Sequence, residues 1–512
     1  MHHIKVVLCL ASCVAVVSVG VRGALIYMKN KNVRELKIAF AGHWKNVHPG
    51  LQHTLIGDLT LSNQFEALVG FNENGVYVPL TAKGWTVSSD YRVFTFKIDT
   101  NRKFSDGAAL SAAYYKESWE NALRLEPKSS NSSLLDILYK VEGFSDFKTT
   151  GALKGLTAIN NDTLEIRFTS PFRMALEHLS GNRFSAYREV DGKFLGTGAY
   201  TIDEIGSDTL RLNPNPHFSD PPQSSILLQA MKMSDALSSL EEGNLDVIAF
   251  AMGSALPQDV TINKDYSVIV GQDALHRAVY TNNQKGRLFE DKKYRRAFQF
   301  LLYEYLKIKK NVLGNQMYNA LDFQVYLPLQ SGRLSTSEVE SIIADGERYV
   351  DDFRLAARMR PPVLIETADN SIKSILVEIG ITISNASRTV DKSTIIDIIY
   401  KGEEADIIPG SFGVASGDPD GIYHKLGRSG AIASPMTRNE SVEVMLEEGR
   451  RIIDKDKLDS FYQGVNRRIL EEAPLIHLGF SKAVAIYRND KVRVRSSILR
   501  RNEGHLYVFE AR

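Results

Sequence analysis

The sequence predicts an α/β protein built from two or three folded units, and three observations carry that expectation. The chain runs to 512 residues, too long for one ordinary domain. Short runs of alternating apolar and polar residues recur between stretches of helical periodicity. No fixed-period repeat, low-complexity tract or heptad pattern breaks that alternation.

The individual elements follow from spacing. Phe94, Phe96 and Ile98 share one face of an alternating run, with Thr95 and Lys97 on the other. Leu164, Ile166 and Phe168 do the same against Thr163, Glu165 and Arg167. Both runs have the period of two that a half-buried strand requires. Asp-Gly pairs and isolated glycines are expected at turns that need positive φ. Pro361-Pro362 separates a polar helical stretch from an expected strand at Val363-Leu364-Ile365. Near the C-terminus, Leu458, Phe461, Tyr462, Val465 and Ile469 fall on one helical face. That helix is predicted to start near Asp456 and to stop before Pro474. Trp85 and Trp119 are expected in cores.

Composition removes several function classes. With 43% hydrophobic and 24% charged residues the chain can bury a core of ordinary size. Lys and Arg total 62 against 61 Asp and Glu, so no charge surplus points to nucleic acid. Both cysteines, Cys9 and Cys13, lie in the first 13 residues. The remainder can therefore form no disulfide, no thiolate-ligated zinc site and no cysteine nucleophile.

Residues 1–34 read as a leader. A weakly positive start is followed by an apolar run from Val6 to Val21, then Ala24-Leu25-Ile26-Tyr27-Met28. Leu10-Ala11-Ser12-Cys13 matches a lipobox, yet the residues after Cys13 stay apolar. The stretch Ile4 to Met28 also reaches the roughly 20 apolar residues that span a bilayer. A cleaved signal peptide, a lipid anchor at Cys13 and a retained membrane anchor are all open, and each puts the rest of the chain in the periplasm or on the cell-envelope exterior.

An ordered set of motifs then runs along the exported part. It includes Phe65-Glu66-Ala67-Leu68-Val69, Val78 to Trp85, and Lys103-Phe104-Ser105-Asp106-Gly107. Gly196-Thr197-Gly198-Ala199-Tyr200, Asn213 to Phe218 and Leu240 to Asp246 follow. Asn282, Arg295-Arg296-Ala297-Phe298, Asp418-Pro419-Asp420 and Ile469 to Ile476 complete it. In this order the motifs resemble the bacterial extracellular solute-binding proteins of family 5, the peptide- and nickel-type receptors of ABC importers.

The resemblance implies a two-lobed periplasmic-binding-protein-like fold (type II, cluster C) with a subdomain inserted in the first lobe. Lobe I would combine 35–75, 190–270 and 478–512, the insert would be 76–189, and lobe II 271–477. It further implies no enzyme activity, no cofactor, a small solute that is a peptide by family default, and delivery to ABC permease subunits in the inner membrane. The ligand would be held between the lobes, favouring the closed form.

The pocket departs from the family pattern. Peptide-binding members place an Asp four residues before the Pro of the Asp-Pro segment, to pair with the ligand's α-ammonium. That position here is Ala415, preceded by Phe412 where such members commonly carry Trp. Losing one partner of a buried charge pair costs about 2–5 kcal/mol, so the usual anchor is absent unless Asp418 substitutes from a shifted position. Ser416 lies between them. In the first loop, His43-Trp44, His48 and His53 border the expected cleft. Five-residue spacing does not put the histidines on one helical face and no acidic cluster accompanies them, so pocket or surface histidines are expected rather than a metal site. Trp44 offers a stacking surface. The candidate ligand-binding residues are thus His43, Trp44, His48, Phe412, Ala415, Ser416 and Asp418.

Two other readings differ in class. A membrane-anchored sensor on the same scaffold would keep its N-terminal anchor. An exported hydrolase would need a nucleophile elbow, an H-E-x-x-H helix or a phosphate-cradling loop, and the sequence has none of these.

Overall fold

A computed structural model describes residues 34–40, 48–51, 57, 60–72, 76–125, 135–252, 265–309, 319–328, 330–367, 371–402, 404–413, 418–428, 430, 433–495 and 505–512. The leader and its three alternatives lie outside the described residues. Among the described residues no helix is long and apolar enough to cross a membrane.

One nine-stranded sheet forms the spine. Its order is Tyr200–Ile205, Thr209–Pro214, Ser225–Ala230, Glu35–Phe40, Val247–Met252, Leu475–Arg488, Tyr266–Thr281 and Ile407–Phe412, with Asn319–Leu321 also paired to Leu475–Arg488. Glu35–Phe40 runs parallel to both its neighbours, with Ile38 opposite Leu228 and Val247. The apolar residues of this centre (Leu36, Ile38, Phe40, Ile226, Leu228, Val247) sit in one core.

Two strands are unusually long. Tyr266–Thr281 has 16 residues and Leu475–Arg488 has 14, against about 5–6 for an ordinary strand. They pair antiparallel from Tyr266 opposite Arg488 to Tyr280 opposite Leu475, with register shifts between Val270 and Leu275 and between Arg277 and Ala278. One end serves the core of Leu36 and Ile38, through Ile269, Ala483 and Ala485. The other end serves two cores further along, through Val279, Ile476 and Leu478 in one and Ala278, Tyr280 and Leu475 in the next. A sheet whose long strands feed separate cores makes a two-lobed molecule, and irregular pairing between the cores bends the connection.

A third unit is inserted in the first lobe. The first core takes Leu36 to Phe65, loses the chain, and regains it at Tyr187. Buried residues from Leu68 to Ala186 pack into a core of their own. Its antiparallel sheet runs Ala82–Val87, Val93–Ile98, Thr163–Arg167, Leu156–Asn160, with Phe94 opposite Ile166 and Phe96 opposite Leu164. The alternation read in the sequence thus becomes one buried face. Helix Ala112–Leu125 covers it, burying Tyr115 and Trp119, whose Nε1 donates to the Phe184 carbonyl at 3.0 Å. Trp85 is only partly buried, packed against this core from the first strand of the sheet.

Other motifs are structural. At Asp106-Gly107 the glycine adopts φ +88°, and the Asp106 side chain accepts from Ala108 N at 3.0 Å. Gly196 and Gly198 answer to a different need: neither has positive φ, but a Cβ at either would lie 2.0 to 2.8 Å from Gln64 backbone atoms. Arg295 is buried and donates to the carbonyls of Phe289, Glu290 and Glu472, tying helix Lys292–Ile308 to the end of helix Lys455–Glu472. That last helix is capped by Asp454 and ends at Ala473 in a left-handed conformation, just before Pro474. The strand expected at 363–365 is shorter: Leu364 makes a single bridge to Ile407 and only Ile365–Glu366 forms a strand.

Candidate functional site

The polar residues of interest gather where the inserted unit meets the second lobe. Strand Ile407–Phe412 leads to this region, and Asp418 opens a short 3-10 turn, Pro419–Ile422. Pro419 fits the first position of that turn because it has no N–H to satisfy. The Asp418 side chain caps it, accepting from Asp420 N at 2.9 Å. Tyr423–Leu426 continues as a helical turn, and helices Glu440–Gly449 and Lys455–Glu472 close the region from behind.

From the inserted unit comes the chain after Phe168, carrying Phe172, Arg173 and the short helix Ala175–Leu179. Arg173 forms an ion pair with Asp418, and its second terminal nitrogen reaches Tyr462 Oη at 3.5 Å. Only 7% of the Arg173 side chain and 15% of the Asp418 side chain is exposed, so water screens the pair weakly. Burial opposes the charge of Arg173, yet Asp418 more than offsets this and raises its pKa. Tyr462 Oη donates to Asp420 Oδ1 at 3.1 Å, and Arg450 pairs with Asp420 Oδ2 at 3.2 Å. Burial pushes the Asp420 carboxyl up to about 7, against the pull of Arg450 and with the repulsion of Asp418.

Aromatic groups complete the contact. The Arg450 guanidinium sits 3.8 Å from the Tyr423 ring and 5.8 Å from Phe172 of the inserted unit. His178 meets His424 edge-on, ring centroids 4.9 Å apart. Burial, then the charges of His424 and Arg450, hold His178 well below the usual imidazole range, while burial with Arg450 and Arg183 brings His424 down to about 4. Both rings are neutral at pH 7.

A second cluster lies deeper in the second lobe. Phe412 is buried and stacks on His276, centroids 4.8 Å apart and planes within 13°. His276 Nδ1 and His477 Nε2 are 3.0 Å apart, and His477 Nδ1 donates to the Asp322 carbonyl at 2.7 Å. With that donor fixed, His477 Nε2 accepts from His276. Lys425 lies over the rings of Tyr280 and Phe412 at 4.2 and 5.6 Å, and burial lowers its pKa to about 7.

The sequence candidates divide accordingly. Asp418 stands at the meeting of the two bodies, already engaged by Arg173. Phe412 is buried in the second cluster, stacked on His276. His48 is buried in the first lobe, edge-on to Tyr187 and Phe194, and its Nδ1 accepts from Gly50 N at 3.1 Å. Burial lowers its pKa, as for an imidazole used in packing. His43, Trp44, Ala415 and Ser416 lie outside the described residues. Among the described residues no group of three or more His, Cys, Asp or Glu is arranged to hold a metal ion. Arg173, His178, His424, Lys425, Arg450 and Tyr462 were not among the candidates. Tyr462 and Arg450 belong to helical segments that read as packing, and Arg173 follows Ser170-Pro171 in what reads as a plain turn.

The fold and this meeting of an inserted unit with a second lobe define a two-lobed α/β protein with an inserted subdomain. Residues 76–326 match the family model described as "Bacterial extracellular solute-binding proteins, family 5 Middle". The periplasmic murein peptide-binding protein MppA of Escherichia coli is 26% identical over 240 residues, 43% of each chain. The dipeptide-binding protein DppE of Bacillus subtilis is 22% identical over 311 residues, 56% of this chain and 55% of the relative. The chain therefore spans about half the length of the curated relatives it matches. Among solved structures, AgaA of A. tumefaciens R10, in complex with agropinic acid, superposes with a TM-score of 0.73 at 15% identity, covering 93% of this chain and 98% of that one. At that identity the likeness establishes the fold.

Proposed function

We propose that this protein is the extracytoplasmic substrate-binding component of an ABC importer, capturing a peptide or peptide-like solute between its lobes and presenting it to a permease. The observation that carries the reading is the pair of long strands, Tyr266–Thr281 and Leu475–Arg488, which join two separately packed lobes through irregular pairing. Such a joint lets a ligand that touches both lobes only when shut shift the population toward closure. Binding needs no bond making, and the protein acts as a receptor rather than an enzyme. We take lobe I as 35–75, 190–270 and 478–512, the insert as 76–189 and lobe II as 271–477, with the leader directing the chain across the membrane.

Ligand contact is assigned to His43, Trp44, His48, Phe412, Ala415, Ser416 and Asp418. On this reading the ligand's charge pattern differs from that of a free peptide. Ala415 has no carboxylate to offer an α-ammonium, and Asp418 is already paired with Arg173. An ammonium would have to displace a guanidinium that is itself nearly buried. Native mass spectrometry of the purified protein, followed by calorimetry with unmodified and N-acetylated di- to pentapeptides, tests this. The expected outcome is a bound solute whose affinity is indifferent to N-acetylation. Tight binding that needs a free N-terminus would refute the ligand assignment while leaving the receptor reading intact.

A further inference from the structure

The contact between the inserted unit and the second lobe is more than close packing. It joins parts of the chain far apart in sequence: Arg173 and Asp418 are separated by 245 residues. No covalent continuity holds them together except through the joint of the two long strands. Three kinds of interaction meet there. Arg173 pairs with Asp418 and approaches Tyr462. Phe172 lies under Arg450, which is itself fixed by Asp420. His178 abuts His424. On the second-lobe side every partner is braced within its own lobe: Asp418 by the N–H of Asp420, and Asp420 by Tyr462 and Arg450. A braced carboxylate facing a cation on a moving body is preorganised for one closed geometry, because little side-chain entropy is left to lose.

We infer that Arg173 and Asp418 form a built-in latch that holds the lobes shut without ligand, with the Phe172–Arg450 and His178–His424 contacts as its aromatic flank. The ion pair supplies the specific interaction. Opening the lobes separates Arg173 from Asp418 and returns both charges to water, so the latch sets the ratio of closed to open molecules rather than forbidding opening. Solute capture proceeds from the open fraction, and the apparent affinity is scaled by that fraction. Asp418 thus acts as a specificity filter of a second kind: a ligand gains by closure only what the latch has not already supplied.

The test needs no ligand, so it fails or succeeds independently of the transport reading. Spin labels are placed at Lys148→Cys on the insert and Glu448→Cys on the second lobe, both exposed, in the full chain with Cys9 and Cys13 changed to serine. Pulsed dipolar spectroscopy on the ligand-free protein should give mainly the short, closed distance. Asp418→Asn keeps a side chain able to cap the 3-10 turn and removes the charge. Arg173→Gln removes the other partner. Each should lower the closed-to-open ratio by about thirtyfold or more, the lower end of what removing one partner of a buried charge pair costs. The exchange Arg173→Asp with Asp418→Arg should recover much of the closed population. Where Arg173→Gln does not fold by circular dichroism, Asp418→Asn carries the test alone. Distance distributions unchanged by Asp418→Asn, or a parent protein that is already open, would overturn the latch.

Discussion

At the scale of single residues, glycine does two different jobs in this chain. Gly107 sits at φ +88°, where a side chain is strained whatever the space around it. Gly196 has no such φ; a Cβ there would lie 2.0 Å from the Gln64 carbonyl oxygen and 2.7 Å from Phe65 Cδ1. Gly198 donates its N–H to that same carbonyl at 2.9 Å, so the two chains cannot slide apart to make room. Gly196→Ala should therefore destabilise by about 1–3 kcal/mol or more, as overpacking does, visible as a lower urea midpoint with an unchanged slope. Spacing marks these glycines only as turn residues, because it exposes a local turn and conceals a close approach by Gln64, 132 positions before Gly196. The same limit applies to the site. Asp418 was legible from its motif, whereas Arg173 was not, since nothing local marks a pairing made across 245 residues.

At the scale of elements, periodicity gave most where one face is buried by partners close in sequence. The runs at 93–98 and 163–167 alternate because they pair with each other and present Phe94, Phe96, Leu164 and Ile166 to one core. Helix Lys455–Glu472 starts beside its Asp454 cap and ends before Pro474, as its apolar stripe and the proline require. Strands Tyr266–Thr281 and Leu475–Arg488 were harder to see as single elements. Gly271-Gln272-Asp273 breaks the apolar pattern of the first, where the register also shifts, and the expected lobe boundaries at 270/271 and 477/478 cut across both. A contrast inside the inserted unit measures how burial governs stability. Phe96 is fully buried in the middle of the sheet, and Phe96→Ala should cost about 3–5 kcal/mol. Trp85, only partly buried on the neighbouring strand, should lose less on truncation to Ala despite its larger ring, because part of its surface already faces water. Chemical denaturation of the two variants decides the order, and an equal or larger loss at Trp85 would mean that this edge carries the unit's core.

At the scale of the whole molecule, protonation and lobe closure are coupled through His178 and His424. In the closed form burial and the cations Arg450 and Arg183 lower the pKa of both rings, with His424 and Lys140 adding to the effect on His178, and His424 itself is brought down to about 4. Opening exposes them and returns each toward the ordinary value of about 6.5. The open form thus binds more protons below that value, so closure is undisturbed above about pH 6.5 and is progressively penalised as pH falls toward 4. Each histidine can shift the closed-to-open ratio by up to about tenfold per pH unit in that window. Asp420 works in the opposite direction. Its carboxyl is pushed up to about 7 by burial in the closed form, so if opening returns it toward the ordinary carboxylate value, the closed form holds the extra proton as pH falls and offsets part of the histidine penalty. Solution scattering on ligand-free protein should show the radius of gyration rising between pH 7 and pH 5. The double variant His178→Gln with His424→Gln should keep a smaller radius at pH 5, with Asp420 still titrating. An identical rise in parent and double variant would remove the histidines from the closure equilibrium.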